Sequence, residues 1–221
     1  MANHVYFNIH VNGLNEGCEA LQRALPVETV ERKGWDDSIH TYNEIIDVDR
    51  LPIYANCGQE YDDEGYQTNW YDWGCENVGA KWISFEDFDL ESNGYISGHS
   101  AWSHPYPFCM KLCEFLAEMT NKPVNITMTY EDEFRNFFGK DEFEAVWSEE
   151  HNEWHIDHHE DYYDGEDLTH LLSKVFDMDF SEKEIDWYEE RECGMDEKWA
   201  IQEYADEVVY QFFDSGELKA L

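Results

Sequence analysis

The sequence predicts an α+β protein: a ferredoxin-like antiparallel sheet with helices on one face, plus an acidic helical C-terminal extension. Short runs of alternating apolar and polar residues are interrupted by segments with helical spacing, in an order close to β-α-β-β-α-β. Nine Trp, fourteen Tyr and thirteen Phe among 221 residues argue for an ordered core despite a net charge of −37. We expect residues 1–148 to form the ferredoxin-like domain and residues 149–221 to form the extension packed on it.

The amino-terminal elements are a strand and a short helix. Alternate positions of the strand are apolar and are expected to point inward: Val5, Phe7, Ile9 and Val11. Asn15 is a candidate N-cap for a helix that continues through Leu25. Residues 26–68 predict an irregular insertion, with a short helix near residues 35–46. Insertions of this length often carry recognition.

The central stretch, residues 69–108, is dense in Trp and Gly and predicts two strands followed by the start of a helix. The strands cover residues 81–88 and 95–102, and an Asn-Gly turn signal lies between them. Pro105 suits the first turn of a helix, where a missing N–H group has little cost. Apolar residues at 3.6-residue spacing extend this helix to about residue 119: Phe108, Leu112, Phe115, Leu116 and Met119.

Two further strands are predicted by alternation at residues 124–130 and 143–147. Beyond residue 149 the apolar spacing predicts three helices. The first is marked by Leu168, Leu171, Leu172, Val175 and Phe176. Ser181 and Glu184 form a capping-box signature for the second. The third is marked by Ile201, Tyr204, Ala205, Val208 and Phe212. These helices either cover the open side of the sheet with ordinary solvated faces or align their acidic faces into a stripe, and both alternatives stay open.

Two sequence blocks carry a family resemblance. In the first, the matching residues are Trp73, Glu76, Asn77, Gly79, Lys81 and Trp82; in the second they are Ala101, Trp102, Ser103 and Pro105. These blocks are similar to the W-R/D-x-x-N-W-G-T-K-W and F-x-T-A-W-S-P-P blocks of the YubB ferredoxin-like domain family of bacteriophages and plasmids. Val78 replaces a usual Trp and His104 a usual Pro, while Tyr130 and the FFGK at residues 137–140 resemble the next strand pair. Over roughly residues 3–147, the resemblance implies the fold and a mobile-element origin, without implying an activity.

Charge is the strongest compositional signal. The chain has 14 Lys and Arg against 51 Asp and Glu, and residues 141–221 alone hold 27 acids and 5 bases. Such a field repels nucleic acids and anionic membranes and attracts basic partners. The acidity either serves solubility or high-salt adaptation, or it imitates a polynucleotide, since duplex DNA carries about one negative charge per 1.7 Å.

Our leading hypothesis is a non-enzymatic phage or mobile-element protein that acts as a DNA mimic. It would bind and inhibit a basic, nucleic-acid-binding host protein, such as a defence nuclease or effector, or a polymerase. Local charge density gives the candidate partner-binding residues: Asp157, Glu160, Asp161, Asp164, Glu166, Asp167, Glu189, Glu190, Glu203, Asp206 and Glu207. We expect no cofactor and no direct nucleic-acid binding. The sequence shows neither a signal-peptide pattern nor a run of about 18 apolar residues, so we expect the host cytoplasm.

A histidine-rich segment supports an alternative, a metal-dependent hydrolase or metal-binding regulator. In HNEWHIDHHEDYYD, spacings of four and three would bring imidazoles together on a helix, where zinc could also use Asp157 or Asp161. The weak candidate ligands are His151, His155, His158 and His159. The same histidines also suit a solvated acidic loop. Neither H-E-x-x-H nor the P-C-x-x-C of zinc deaminases occurs.

A third alternative is an acidic structural or accessory protein that is recognised through aromatic contacts. The sequence contains no G-x-S-x-G, no phosphate-binding glycine loop and no dinucleotide fingerprint, so we predict no catalytic residues. Cys109 and Cys113 lie beside the apolar stripe of the central helix and are expected to be buried thiols. Ser100, Ser103 and His104 are close in sequence, but on a strand they project to mixed faces and predict no triad.

Overall fold

The computed structural model describes residues 3–14, 19–177 and 196–221, with the side chains of the last segment from residue 199. This part of the chain is α+β, with a six-stranded antiparallel sheet, a two-stranded sheet and five α-helices. The strands are β1 (His4–Asn12), β2 (Val27–Lys33), β3 (Ile39–Ile45), β4 (Ile83–Asp89), β5 (Tyr95–Ala101), β6 (Asn125–Asp132), β7 (Phe137–Ser148) and β8 (Glu153–Asp164). The helices are α1 (Glu19–Ala24), α2 (Trp70–Asn77), α3 (Tyr106–Thr120), α4 (Gly165–Phe176) and α5 (Asp196–Ser215).

The main sheet has the strand order β4-β5-β1-β6-β7-β8, and every pair of neighbours is antiparallel. The interior strand β1 confirms the predicted alternation, because its four apolar side chains are all at most 4% exposed: Val5, Phe7, Ile9 and Val11. The predicted strand pair in residues 81–102 is also confirmed, as β4 and β5.

Helices α1 and α3 contribute to the core on one side of this sheet, which we call the α3 face. The helix predicted after Pro105 is confirmed as α3, and its inward residues are fully buried: Phe108, Cys109, Leu112, Cys113, Leu116 and Ala117. They join alternate residues of β6 and β7 in one apolar cluster: Ile126, Met128, Tyr130, Phe143 and Ala145. Burial of each large apolar side chain contributes about 1.5–3 kcal/mol, so this cluster fixes the helix on the sheet. Met119, predicted to face inward, is 39% exposed.

The opposite side of β7 and β8 carries a second apolar cluster, and we call it the α5 face. Phe138 is an odd number of residues from Phe143 on an unbroken ladder, so its side chain projects to the other side of the sheet. It packs with residues of α4 and α5 that the sequence predicted to be apolar helix positions: Leu168, Leu172, Ile201, Ala205, Val208 and Phe212. These two helices are confirmed, although Val175 is 39% exposed.

The insertion at residues 26–68 differs from its prediction. Residues 39–45 form a strand rather than the predicted helix, and β3 pairs with β2 in a hairpin. β-Branched and aromatic residues such as Val30, Thr41 and Tyr42 favour extended backbone here. Arg32 forms a 2.7 Å ion pair with Glu44 across the strands. Two short 3₁₀ turns follow at Val48–Arg50 and Pro52–Tyr54, and the second buries Ile53 and Tyr54 in the main core, so the insertion is not wholly irregular.

The segment after residue 149 is not helical from its start. Residues 153–164 form β8, which pairs with β7 over twelve residues as an edge strand of the main sheet. A turn at His151 and Asn152, where Asn152 adopts a left-handed φ of 56°, reverses the chain and sets this register. The predicted helix after Ser181, the candidate cap Asn15, and the acids Glu189 and Glu190 lie outside the described residues.

Candidate functional site

Strand β8 distributes the predicted acidic and histidine residues over both faces of the sheet. His158 lies opposite Phe143 and Glu160 lies opposite Asp141, all on the α3 face. Asp157, His159 and Asp161 alternate with them and project to the α5 face. Because side chains alternate along a strand with a period of two, residues that a helix would bring together are separated here.

The histidine cluster proposed from helical spacing is therefore wrong. His155 and His159 lie on the α5 face with side chains 70% exposed, and each has a carboxylate beside it on the same strand. His151 is in the preceding turn and is exposed. Among the four histidines, His158 is the one whose ring enters the α3 face, where it stacks on Phe143 with 4.7 Å between ring centroids.

Several of the candidate partner-binding acids already accept hydrogen bonds within the chain. Asp164 and Asp167 form the capping box of α4, in which each side chain accepts a bond from the other residue's backbone N–H. Asp206 accepts a 2.6 Å bond from the guanidinium of Arg135, whose side chain is 6% exposed. These contacts begin α4 and tie α5 to the β6–β7 turn.

Other candidate acids lie beside another carboxylate. Asp157 lies directly opposite Glu144 in the β7–β8 ladder, and both are exposed. On α5, the exposed Glu203 and Glu207 are one turn apart. Like charges in these positions repel one another in strands and in helices.

The α3 face holds a group of polar side chains that the sequence did not connect. The side chain of Asp141 has 0% exposure, and its Oδ2 lies 3.3 Å from Nε2 of His104. Its Oδ1 lies 3.0 Å from Nε2 of His158. Glu160 Oε1 lies 3.9 Å from Nε2 of His104. Three separate segments thus supply this group: the β5–α3 loop, β7 and β8. We call His104, Asp141 and Glu160 the carboxylate–histidine cluster.

Aromatic rings and a phenol hold the members of this cluster in place. The ring of His104 stacks on Tyr130 at 3.9 Å with an interplanar angle of 5°. The Tyr130 hydroxyl donates a 2.8 Å hydrogen bond to Glu160 Oε1. Burial, together with Asp141 and Glu160, raises the pKa of Tyr130 well above its usual value, so the hydroxyl stays protonated as a donor.

A weak signal for this cluster exists in the sequence of β7. Phe143 and Ala145 are inward positions, and extending their alternation backward places Asp141 on the same apolar face. An acid at an inward strand position is unusual and calls for a partner. That pattern identifies Asp141 alone, because its neighbours come from distant segments.

A separate aromatic cluster lies on the surface near the motif residues of the first block. The Lys81 ammonium lies over the rings of Trp70, Tyr71 and Trp102, with 5.7, 5.7 and 5.0 Å to their centroids. Each ring is between 43% and 50% exposed. The chain's own lysine thus occupies this cluster through cation–π contacts.

No protein family, curated protein or solved structure matches this chain in the comparisons made. Among the helices in the described part of the chain, none has the length and apolar character needed to cross a membrane.

Proposed function

We propose that residues 3–147 form a YubB-like domain with the ferredoxin-like arrangement, in a protein of phage or plasmid origin. In chain order, β1, α1, β4, β5, α3 and β6 follow the β-α-β-β-α-β pattern, and α1 and α3 share one cluster. On this proposal, β2, β3 and α2 are an insertion between α1 and β4, while β7 and β8 extend the sheet.

The motif residues that carry this resemblance have identifiable structural roles, which supports the family proposal. Trp73 is 4% exposed, and its indole N–H donates a 2.9 Å bond to the Cys57 carbonyl. Gly79 has a φ of 87°, and a Cβ at this position would lie 2.3 Å from the Pro107 ring. Only glycine fits this position without displacing the start of α3.

The function supported best is that of a non-enzymatic inhibitor in the host cytoplasm that binds a basic, nucleic-acid-binding host protein. Its exposed carboxylates would take the place of DNA phosphates in the partner's binding channel. The observation that carries this proposal is the placement of like charges as direct neighbours: Glu144 opposite Asp157, and Glu203 one turn from Glu207. Such pairs lower the stability of the free protein, and a cationic surface that binds them relieves the repulsion.

The best candidates for this contact are the acids outside the capping box, the Arg135 ion pair and the Tyr130–Glu160 hydrogen bond. They are Asp157, Glu166, Glu203 and Glu207, together with the half-buried Asp161. In residues 141–221 the sequence offers 27 acids and only 5 Lys and Arg, so few internal cations compete with a partner.

The proposal is tested by competition with DNA for a basic DNA-binding nuclease. We expect the chain to displace labelled duplex DNA and inhibit cleavage, with affinity that falls at least tenfold between about 50 and about 500 mM salt. The triple variant Asp157→Asn, Glu203→Gln, Glu207→Gln should bind at least tenfold more weakly at low salt, measured by fluorescence anisotropy.

A matched variant separates local recognition from total charge. Glu28→Gln, Glu31→Gln, Glu60→Gln changes the net charge equally at exposed N-terminal positions and should bind like the wild type. If both triple variants lost the same affinity, total net charge rather than the local placement of acids would determine binding. Salt-independent binding would instead favour the accessory role, with recognition through aromatic contacts.

A further inference from the structure

We propose that the carboxylate–histidine cluster is a binding site for one divalent metal ion, independent of the proposed binding of a basic partner. One ligand atom each from His104, Asp141 and Glu160 lies within 4.8 Å of the other two. Two ligands about 2.1 Å from a zinc ion at a tetrahedral angle are about 3.4 Å apart. Two distances in the cluster are close to this value: His104 Nε2 lies 3.3 Å from Asp141 Oδ2 and 3.9 Å from Glu160 Oε1.

The buried oxygen of Asp141 provides a second, independent observation. Its side chain has 0% exposure, and within the described residues Oδ2 accepts no hydrogen bond. Although Nε2 of His104 is near, the two groups are not aligned as donor and acceptor. A buried carboxylate oxygen without a donor is costly, whereas a coordinated cation satisfies it.

The strand register concentrates negative charge at the same point. Asp141 and Glu160 are directly opposite each other in the β7–β8 ladder. The adjacent Lys140 does not neutralise them, because it projects to the α5 face and lies 3.1 Å from Glu142. Two carboxylates within 4.8 Å of each other, one of them fully buried, repel each other, and a bound cation relieves that repulsion.

Residues around the cluster orient its ligands in the way that outer partners do in metal sites. An ionised Asp141 can only accept, so the His158 Nε2 at 3.0 Å donates to Oδ1 and leaves Oδ2 available. His158 is itself held between Phe143 and Tyr106, with centroid distances of 4.7 and 5.8 Å. Asp141 is therefore oriented by a histidine that aromatic packing holds in place.

The ligand set indicates which ions fit. One imidazole and two carboxylates suit Zn²⁺ or Mn²⁺ better than a soft ion that prefers thiolates. Cys109 is close to Asp141, but burial and that carboxylate raise the pKa of its thiol, which makes it a poor ligand. Glu160 is 40% exposed, so water can reach the site and complete the coordination of an ion.

The test is metal titration of the full chain after removal of metals with a chelator. At about pH 7.5 we expect one equivalent of Zn²⁺ or Mn²⁺ to bind at least tenfold more tightly than any further equivalents, measured by calorimetry and chelator competition. His104→Phe keeps a ring to stack on Tyr130 but lacks the ligand nitrogen, and it should weaken that equivalent at least tenfold. Glu160→Gln should also weaken binding of the tight equivalent at least tenfold. Because Glu160 is partly exposed, we expect this variant to fold like the wild type.

His159→Gln is the matched control, since it removes an imidazole from the same strand on the opposite face. It should leave the tight equivalent unchanged, and the metal should raise the melting temperature of this control and of the wild type but not of His104→Phe. The proposal is overturned if no tight equivalent exists, if His159→Gln weakens it as much as Glu160→Gln does, or if Glu160→Gln binds like the wild type.

Discussion

Burial gives chemically identical side chains different properties, and the cysteines show this at the residue scale. Cys109 and Cys113 are fully buried on α3, whereas Cys75 on α2 is exposed. Burial raises the pKa of Cys113 to about 12 and raises that of Cys109 well above its usual value, the latter with a contribution from Asp141. Both thiols are therefore neutral at ordinary pH, and their complete burial confirms the packing role predicted for them.

We predict that iodoacetamide at about pH 8 modifies Cys75 in the folded chain and leaves Cys109 and Cys113 unmodified. The thiolate is the nucleophile, and at a pKa of about 12 only about one Cys113 thiol in ten thousand is ionised at that pH. Peptide mass spectrometry measures the result, and the same reaction in denaturant should label all three. Rapid labelling of Cys113 in the folded chain would contradict the packing of α3.

At the element scale, α4 and α5 depend on a small apolar cluster on the side of the sheet opposite α3. Phe138 and Tyr163 of the sheet meet Phe212 of α5, with centroid distances from Phe212 of 5.3 and 5.2 Å. The Arg135–Asp206 ion pair adds a polar contact between α5 and the β6–β7 turn. The attachment of both helices therefore depends strongly on Phe212, which is fully buried.

We predict that Phe212→Ala lowers the free energy of unfolding by about 3–5 kcal/mol, because it leaves a cavity at the centre of this cluster. Tyr210→Ala on the same helix is the control, since Tyr210 is 63% exposed, and should change that free energy by about 0.5 kcal/mol or less. Urea unfolding measures both. In Phe212→Ala, hydrogen exchange should be faster in α4 and α5 than in β1 and β6. Equal losses of stability in Phe212→Ala and Tyr210→Ala would refute the role of Phe212 in attaching these helices.

At the scale of the whole molecule, a net charge of −37 acts against folding. Fifty-one acids and fourteen Lys and Arg share one chain, and the fold places some carboxylates directly beside others. Self-repulsion of this size opposes the compact state, and dissolved salt screens it over about 10 Å at 0.1 M.

We predict that the melting temperature rises as salt increases from about 20 to about 300 mM, because screening weakens the repulsion between exposed carboxylates. The variant Asp157→Asn, Glu203→Gln, Glu207→Gln should melt higher at low salt and gain less from added salt. Differential scanning calorimetry measures both, with a non-binding buffer at constant pH. A melting temperature that falls with salt would show that attractive ion pairs outweigh the repulsion.

The sequence by itself determined the elements whose residues alternate or repeat with one clear period. The inward positions of β1 were predicted correctly, as were those of α3 apart from Met119 and those of α4 and α5 apart from Val175, because local periodicity indicates which side of an element is apolar. It also determined the charge, which follows from composition alone. It did not predict β3, whose residues are exposed on both sides and show no alternation, or α2, whose eight residues have a weakly amphipathic sequence.

Only the tertiary structure decided which polar residues meet. In β8, both sides carry acids and histidines, so the apolar pattern could not distinguish a strand from a helix, and pairing with β7 settled it. The same pairing placed Glu160 opposite Asp141 and brought His104 to them from a loop 37 residues before Asp141 in the sequence. Local periodicity fixes the side to which a residue points, but its neighbours depend on strand register and long-range packing.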